Sequence, residues 1–217
     1  TQSWNFALDF GFLNDRITGT LEYYQMSTKD MIMRQPLSNF TGFENITTNL
    51  GQVNNSGFEV ALNTLNIDKK NFQWSSSFSL SYNKNRIKHL FGDRQDIVDA
   101  NGTVVGSREA DYVAAGWFID KPISAIWDYK VTGIWQKDEV EEAKKYGQVP
   151  GDPKVWNNPA NDQYDADGNL VKVIYNNDDK VFQGQTAAPV TWALRNDFTL
   201  WKDLTLSVNI YSRMGHK

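Results

Sequence analysis

Asn49-Leu50-Gly51-Gln52-Val53-Asn54-Asn55-Ser56-Gly57-Phe58-Glu59-Val60-Ala61-Leu62-Asn63 is the stretch whose reading decides the fold. Its first half is turn chemistry, because Gly51, Asn54, Asn55 and Gly57 tolerate positive φ. Its second half alternates. Phe58, Val60 and Leu62 point one way and Glu59, Ala61 and Asn63 the other, since successive strand side chains face opposite sides. A loop therefore delivers a β-strand with one apolar face.

The same alternation recurs on both sides of this stretch. Upstream, Trp4, Phe6, Leu8, Phe10 and Phe12 oppose Asn5, Ala7, Asp9 and Gly11; Asn14-Asp15 reverses the chain; and Ile17, Gly19, Leu21 and Tyr23 oppose Thr18, Thr20, Glu22 and Tyr24. This predicts a hairpin over about 3–26. Downstream, a strand from Gly57 to about Leu65 and a polar turn Asn66 to Asn71 lead into Phe72, Trp74, Phe78, Leu80 and Tyr82. Those residues alternate with Gln73, Ser75, Ser77, Ser79 and Ser81, a face too small and polar for a packed core, so this second hairpin, about 57–82, is expected to meet water on one side. The third, about 191–212, sets Trp192, Leu194, Phe198 and Leu200 against Leu204, Leu206, Val208 and Ile210 around Trp201-Lys202-Asp203.

Two segments lack this pattern. Residues 27–56, with Lys29-Asp30, Pro36 and Gly42, and residues 83–190 are expected to be long extracellular loops. In the second, Asn101-Gly102 and Asp167-Gly168 mark minor hairpins, and Val113 to Trp135 reads as strand pieces broken by Gly116, Pro122 and Gly133. One short helix is predicted there, with Asp138 as N-cap, Glu141 three residues on, Lys145 spaced i,i+4 from Glu141, and Gly147 closing it.

Strands of roughly 9 to 11 residues suit a tilted crossing of a bilayer, whereas soluble sandwich strands run nearer ~5 to 6. Short turns at one end and long polar loops at the other are the pattern of an outer-membrane barrel. If all three short turns share one side, the chain crosses an even number of times between Tyr82 and Trp192; zero or two crossings are expected, with 113–135 the candidate for a pair. Trp4, Tyr23, Trp74, Tyr82, Trp192 and Trp201 near strand ends suit interfacial girdles, although Trp201 has the wrong parity and fits the turn. The expected fold is all-β, part of a large antiparallel transmembrane β-barrel with long extracellular loops; a soluble sandwich core is the alternative use of these rings.

Composition narrows the function. Among 217 residues there is no cysteine, which removes disulfides, thiolate metal sites and Cys nucleophiles. A formal net charge of −4 without Lys/Arg clusters argues against nucleic acid. No apolar run approaches the ~18 residues of a membrane helix. His89 and His216 lack the context of a metal site or triad, and Asp178-Asp179 and Glu141-Glu142 read as solvated surface. Asp165, Asp167 and Asn169 alternate like calcium ligands, but Leu170 stands where an EF-hand needs Gly and Asn176 where it needs a bidentate Glu; an Asp-Gly turn is the better reading, leaving Asp165 and Asp167 only weak metal candidates. No catalytic residue and no cofactor is expected, and the chain is not read as an enzyme. Trp117, Trp127, Tyr129, Trp135, Trp156 and Tyr164, all in 83–190, are candidates for stacking on a ligand or packing on a partner.

In order along the chain stand Leu8-Asp9-Phe10-Gly11-Phe12-Leu13-Asn14-Asp15-Arg16, Tyr23-Tyr24 leading to Thr28-Lys29-Asp30, Asn49 to Glu59, Tyr82-Asn83-Lys84-Asn85, Trp127-Asp128-Tyr129-Lys130 to Gly133-Ile134-Trp135-Gln136, and Pro150-Gly151-Asp152-Pro153-Lys154. With these phrases the chain resembles the C-terminal barrel region of SusC/RagA-type TonB-dependent outer-membrane transporters over nearly its whole length. The resemblance implies a bacterial outer-membrane location and import of large nutrients, oligosaccharides or peptides. It also implies a SusD-like surface lipoprotein as lid, a TonB complex as energy source acting through regions outside this chain, outer-membrane lipid around the wall, and a plug domain and remaining strands elsewhere. A soluble all-β carbohydrate-binding module, or a passive porin or adhesin barrel, are the alternative functions.

Overall fold

The computed structural model describes residues 1–36, 44–201 and 203–217. Gly42 of the first expected loop and Lys202 of the third expected turn lie outside the described residues. The chain divides into two compact units: residues 1–124 with 185–216, and residues 125–184 with Lys217.

The first unit holds β1 (Gln2–Phe12), β2 (Ile17–Pro36), β3 (Asn45–Lys69), β4 (Phe72–His89), β5 (Arg94–Val98) and β6 (Val104–Glu109). The second holds β7 (Ala125–Tyr129), β8 (Val131–Ile134), α1 (Val140–Lys145), β9 (Pro153–Val155), β10 (Gln163–Tyr164), β11 (Leu170–Lys172) and most of β12 (Lys180–Gln185), after which β13 (Val190–Leu200) and β14 (Leu204–Met214) return to the first. One six-stranded antiparallel sheet runs β1-β2-β3-β4-β13-β14.

The register turns sequence alternation into two continuous faces. Leu8, Leu21, Val60, Leu80 and Trp192 are successive partners across five strands, and the next rows on that side are Phe6-Tyr23-Phe58-Tyr82-Val190 and Phe10-Gly19-Leu62-Phe78-Leu194-Ile210. The opposite side reads Ala7-Glu22-Glu59-Ser81-Thr191-Arg213 and Gly11-Thr18-Asn63-Ser77-Arg195-Asn209. A slip of one residue in any strand would exchange these faces, so the pattern itself specifies the pairing. From Phe72 to Tyr82 the apolar face of β4 covers about 25 Å of height for a strand tilted near 40°, the thickness of a barrel's apolar band. The sheet is open, with β1 and β14 at its edges, as expected of part of a larger barrel.

Three expectations need correction, and a fourth is decided between its two alternatives. Residues 27–56 are mostly strand: β2 reaches Pro36 and β3 begins at Asn45, paired from Thr28↔Val53 to Pro36↔Asn45 with register shifts near Met31. Main-chain pairing carries these extensions, and no hydrophobic alternation announces them. The turn expected over Asn66 to Asn71 shrinks because β3 continues to Lys69, with a bulge between Leu65 and Ile67. Of the zero or two crossings expected between Tyr82 and Trp192, the direct pairing of β4 with β13, Tyr82↔Val190 to Phe72↔Leu200, gives zero in the sheet; residues 113–135, the candidate for a pair, make a 3-10 turn at Val113–Ala115, then β7 and β8. Asp138 does not cap the helix: Glu139 occupies the N-cap position and takes the Gln136 N–H at 2.8 Å. The helix ion pairs are Glu141–Lys144 and Glu142–Lys145, while Gly147 follows at φ +67°.

Trp201 lies in the turn at φ +49°, 66% exposed, and its N–H reaches the Asn71 carbonyl at 3.0 Å, tying adjacent turns together.

Candidate functional site on the polar face and outer loops

The polar face of the wall forms a trough of about 320 Å³, floored by Ala61, Ser79 and Ala193 and rimmed by Glu22, Glu59, Tyr211 and Arg213. Small side chains make the hollow and charged ones set its ends. Glu22 and Glu59 are direct cross-strand partners, an arrangement of like charge that disfavours pairing. Asn5 donates to Glu22 at 3.3 Å and Ser81 to Glu59 at 3.2 Å, and neither glutamate is in an ion pair among the described residues. Both carboxylates were legible as residents of the polar face; their direct opposition was not, because it depends on register.

At the ends of β2 to β4 away from the short turns, Met33, Val53, Ile87 and Leu90 form a buried cluster with Met31, Phe91, Tyr112, Trp117 and Ile119 packed on it. Trp117 meets the Tyr112 ring edge-on at 6.0 Å, so it anchors the segment that covers β4. Ile87 donates to the Lys121 carbonyl at 3.0 Å and accepts from Asp120 at 2.9 Å. An apolar pocket of about 160 Å³ opens between this cluster and His89 and Ile123.

Glu109 fastens the base of the β5–β6 hairpin. Its carboxylate takes the N–H groups of Leu90 at 2.6 Å and Gly92 at 3.0 Å and contacts His89 Nδ1 at 2.9 Å. Burial pushes this carboxyl up, but the hydrogen bonds outweigh it and hold the group below its ordinary 4.5. A lowered carboxylate contributes stability above the unfolded value that is lost as pH falls through the folded one. Hydrogen exchange at Leu90 and Gly92 is therefore expected to accelerate below about pH 4.5, and Glu109→Gln to abolish that acid dependence; an unchanged profile in the variant would assign the sensitivity to another group.

In the second unit, Trp127 and Tyr129 take the Lys180 ammonium at 5.1 and 5.2 Å from their ring centres, and Tyr129 meets Tyr175 edge-on at 5.6 Å. Burial, then the neighbouring Tyr146 and the Asp179 and Asp162 carboxylates, push the Tyr175 hydroxyl to about 12. Trp135 is 7% exposed, donates to Gln148 at 2.6 Å and packs on Tyr146 at 5.1 Å. Of the candidate rings in this unit, Trp156 and Tyr164 are the exposed ones, at 40% and 48%. Asp165 turns its carboxylate onto the N–H groups of Asp167 and Asn169 in the β10–β11 hairpin, with Gly168 at φ +82°. The buried Asp179 likewise accepts from Asn158 and Asn176, at 2.7 and 2.6 Å.

The family model for the TonB-dependent receptor-like β-barrel matches residues 1–212. The chain belongs to this family. It is 27% identical over its full length to TonB-dependent receptor P26 of Formosa agariphila, covering 20% of that protein. Over 75% of its length it is 30% identical to TonB-dependent receptor SusC of Bacteroides thetaiotaomicron, covering 17% of it. Among solved structures, that of the RagAB peptide transporter superposes with a TM-score of 0.67 at 23% identity, over 98% of this chain and 21% of that one, which shows a shared fold. The chain thus spans about a fifth of the relatives it matches. It is a piece of a SusC/RagA-type outer-membrane barrel.

Proposed function

We propose that the protein to which this wall belongs imports large nutrients, oligosaccharides or peptides, across the outer membrane with TonB-derived energy and a SusD-like lipoprotein as lid. The observation that carries the reading is the wall itself: an apolar band outside, a polar trough with Glu22, Glu59 and Arg213 inside, and β2 to β4 continuing above the membrane into large outer loops. The wall and loops shape a route and its mouth; transport, not bond chemistry, is the use of such a surface. Trp156 and Tyr164, with Trp127 and Tyr129 beside Lys180, are the rings assigned to ligand or lipoprotein.

The test is uptake of fluorescent oligosaccharides and peptides by cells carrying the intact gene. Uptake is expected to vanish both on deleting the gene and on removing TonB energy, and an affinity-tagged barrel is expected to bring down a surface lipoprotein. Uptake that survives loss of TonB would establish a passive porin instead.

A further inference from the structure

We infer that the outward face of the wall carries a binding site for the ester group of a membrane glycerolipid, built from Trp74, Asn196, Ser76, Asn66 and Thr64. Near the short turns the alternation that makes this face apolar is broken by a row of three adjacent polar side chains. Thr64, Ser76 and Asn196 are register partners on β3, β4 and β13 and share the facing of Leu62, Phe78 and Leu194 beside them. The bulge between Leu65 and Ile67 adds Asn66 to the group.

These side chains form one hydrogen-bonded chain. The Trp74 indole N–H donates to Asn196 Oδ1 at 3.0 Å, the Ser76 hydroxyl donates to the same oxygen at 2.6 Å, the Asn66 amide donates to Ser76 at 2.7 Å, and the Thr64 hydroxyl donates to Asn66 Oδ1 at 3.0 Å. An indole N–H can only donate, so it fixes the oxygen of Asn196 toward Trp74 and turns the amide NH₂ away. That NH₂ has no hydrogen-bond partner among the described residues. Facing hydrocarbon, an unpaired amide is costly because no water is there to accept from it.

Depth identifies the acceptor. Asn196 lies four residues before Leu200, the last residue of β13, about 10 Å along the membrane normal for a strand tilted near 40°. Stacked rings lead from the turn to it, Phe72 on Phe198 at 6.5 Å and Phe198 on Trp74 at 5.7 Å, as aromatic residues do where chains meet the polar layer. The acceptors at that level are the ester carbonyls of inner-leaflet glycerolipids. Lys69, register partner of Phe72, stands below on the same face, where a long cationic side chain reaches the phosphate. A single outward NH₂ matches one carbonyl; a second copy of this chain would have to bring its own acceptor to the same spot.

The experiment is native mass spectrometry of the full-length protein with dioleoyl phosphatidylglycerol and with its dialkyl ether counterpart, which lacks the carbonyls. The wild type is expected to retain the ester lipid about fivefold more strongly than Asn196→Leu does, the scale of one net hydrogen bond, and the ether lipid is expected not to distinguish them. Trp74→Phe removes the donor that fixes the amide and is expected to lose the ester preference as well, which keeps the test open should Asn196→Leu fold poorly. Equal retention of ester and ether lipids by the wild type overturns the assignment. So does loss of self-association in Asn196→Leu with lipid retention unchanged, which would give the row to a second copy.

Discussion

Leu80→Arg is expected to cost the folded barrel about 2 to 4 kcal/mol, the penalty for a cation near the bilayer midplane, while Ser79→Arg is expected to be far better tolerated. Leu80 sits between Val60 and Trp192 in a central row of the apolar face. Ser79, one residue away, sits between Ala61 and Ala193 and faces a trough of about 320 Å³ that water can enter. An arginine there keeps its hydration and finds Glu59 on the same face, one strand over; at Leu80 it must distort lipid or drag water inward. The two positions are adjacent on one strand and share its turn context, and they present opposite faces. Urea unfolding of the full-length protein in lipid vesicles measures both, and equal destabilisation would refute the assignment of faces.

That prediction could be made from alternation alone, and the reason shows what a sequence like this exposes. Inside the membrane, each strand residue is sorted by solvent on one side and lipid on the other, so Phe58, Val60 and Leu62 against Glu59 and Asn63 state the facing without any partner. Above the membrane the sorting solvent is the same on both faces. Thr28, Asn45 and Thr48 therefore carry no signature, and the upper parts of β2 and β3 read as loop although they are paired. Turn positions were legible where positive φ is required, as at Asn14 and Asp15, with φ of 54° and 61°, and illegible where a bulge replaced a turn, as at Asn66.

The candidate site divides along the same line. Trp135 and Trp156 are both tryptophans in one stretch of polar sequence, and only tertiary packing on Tyr146 and Gln148 makes one of them buried. The polar row of Thr64, Ser76 and Asn196 escaped the reading of each strand because one hydroxyl or amide among large apolar neighbours looks like noise. Only the register puts the three side by side. Register is likewise what joins Glu22 to Glu59. Facing is a local property of a strand, whereas clusters across strands depend on turn and bulge positions that set the stagger.

Ile87→Ala is expected to loosen the outer structure without touching the membrane wall. Ile87 is 1% exposed and packs with Met33, Val53 and Leu90, so truncation removes buried volume that the neighbours cannot refill, about 2 to 5 kcal/mol, against about 0.5 to 1.5 for Ile87→Val. The loss should be local. Ile87 holds the cover segment through its own main chain, to Lys121 and Asp120, and through Trp117 and Ile119 packed on the same cluster. Five residues lower, Tyr82 is already in the six-stranded ladder, paired with both Phe58 and Val190, and that ladder does not depend on the cluster. Hydrogen exchange in the full-length protein should therefore accelerate at Ile87 and Lys121 in the alanine variant, much less in the valine variant, and not at Leu80 or Phe78. Faster exchange throughout β4 would mean that cluster and wall unfold as one unit. Confined to the upper residues, it would mean that the far end of β2 to β4 can rearrange over a rigid six-stranded ladder.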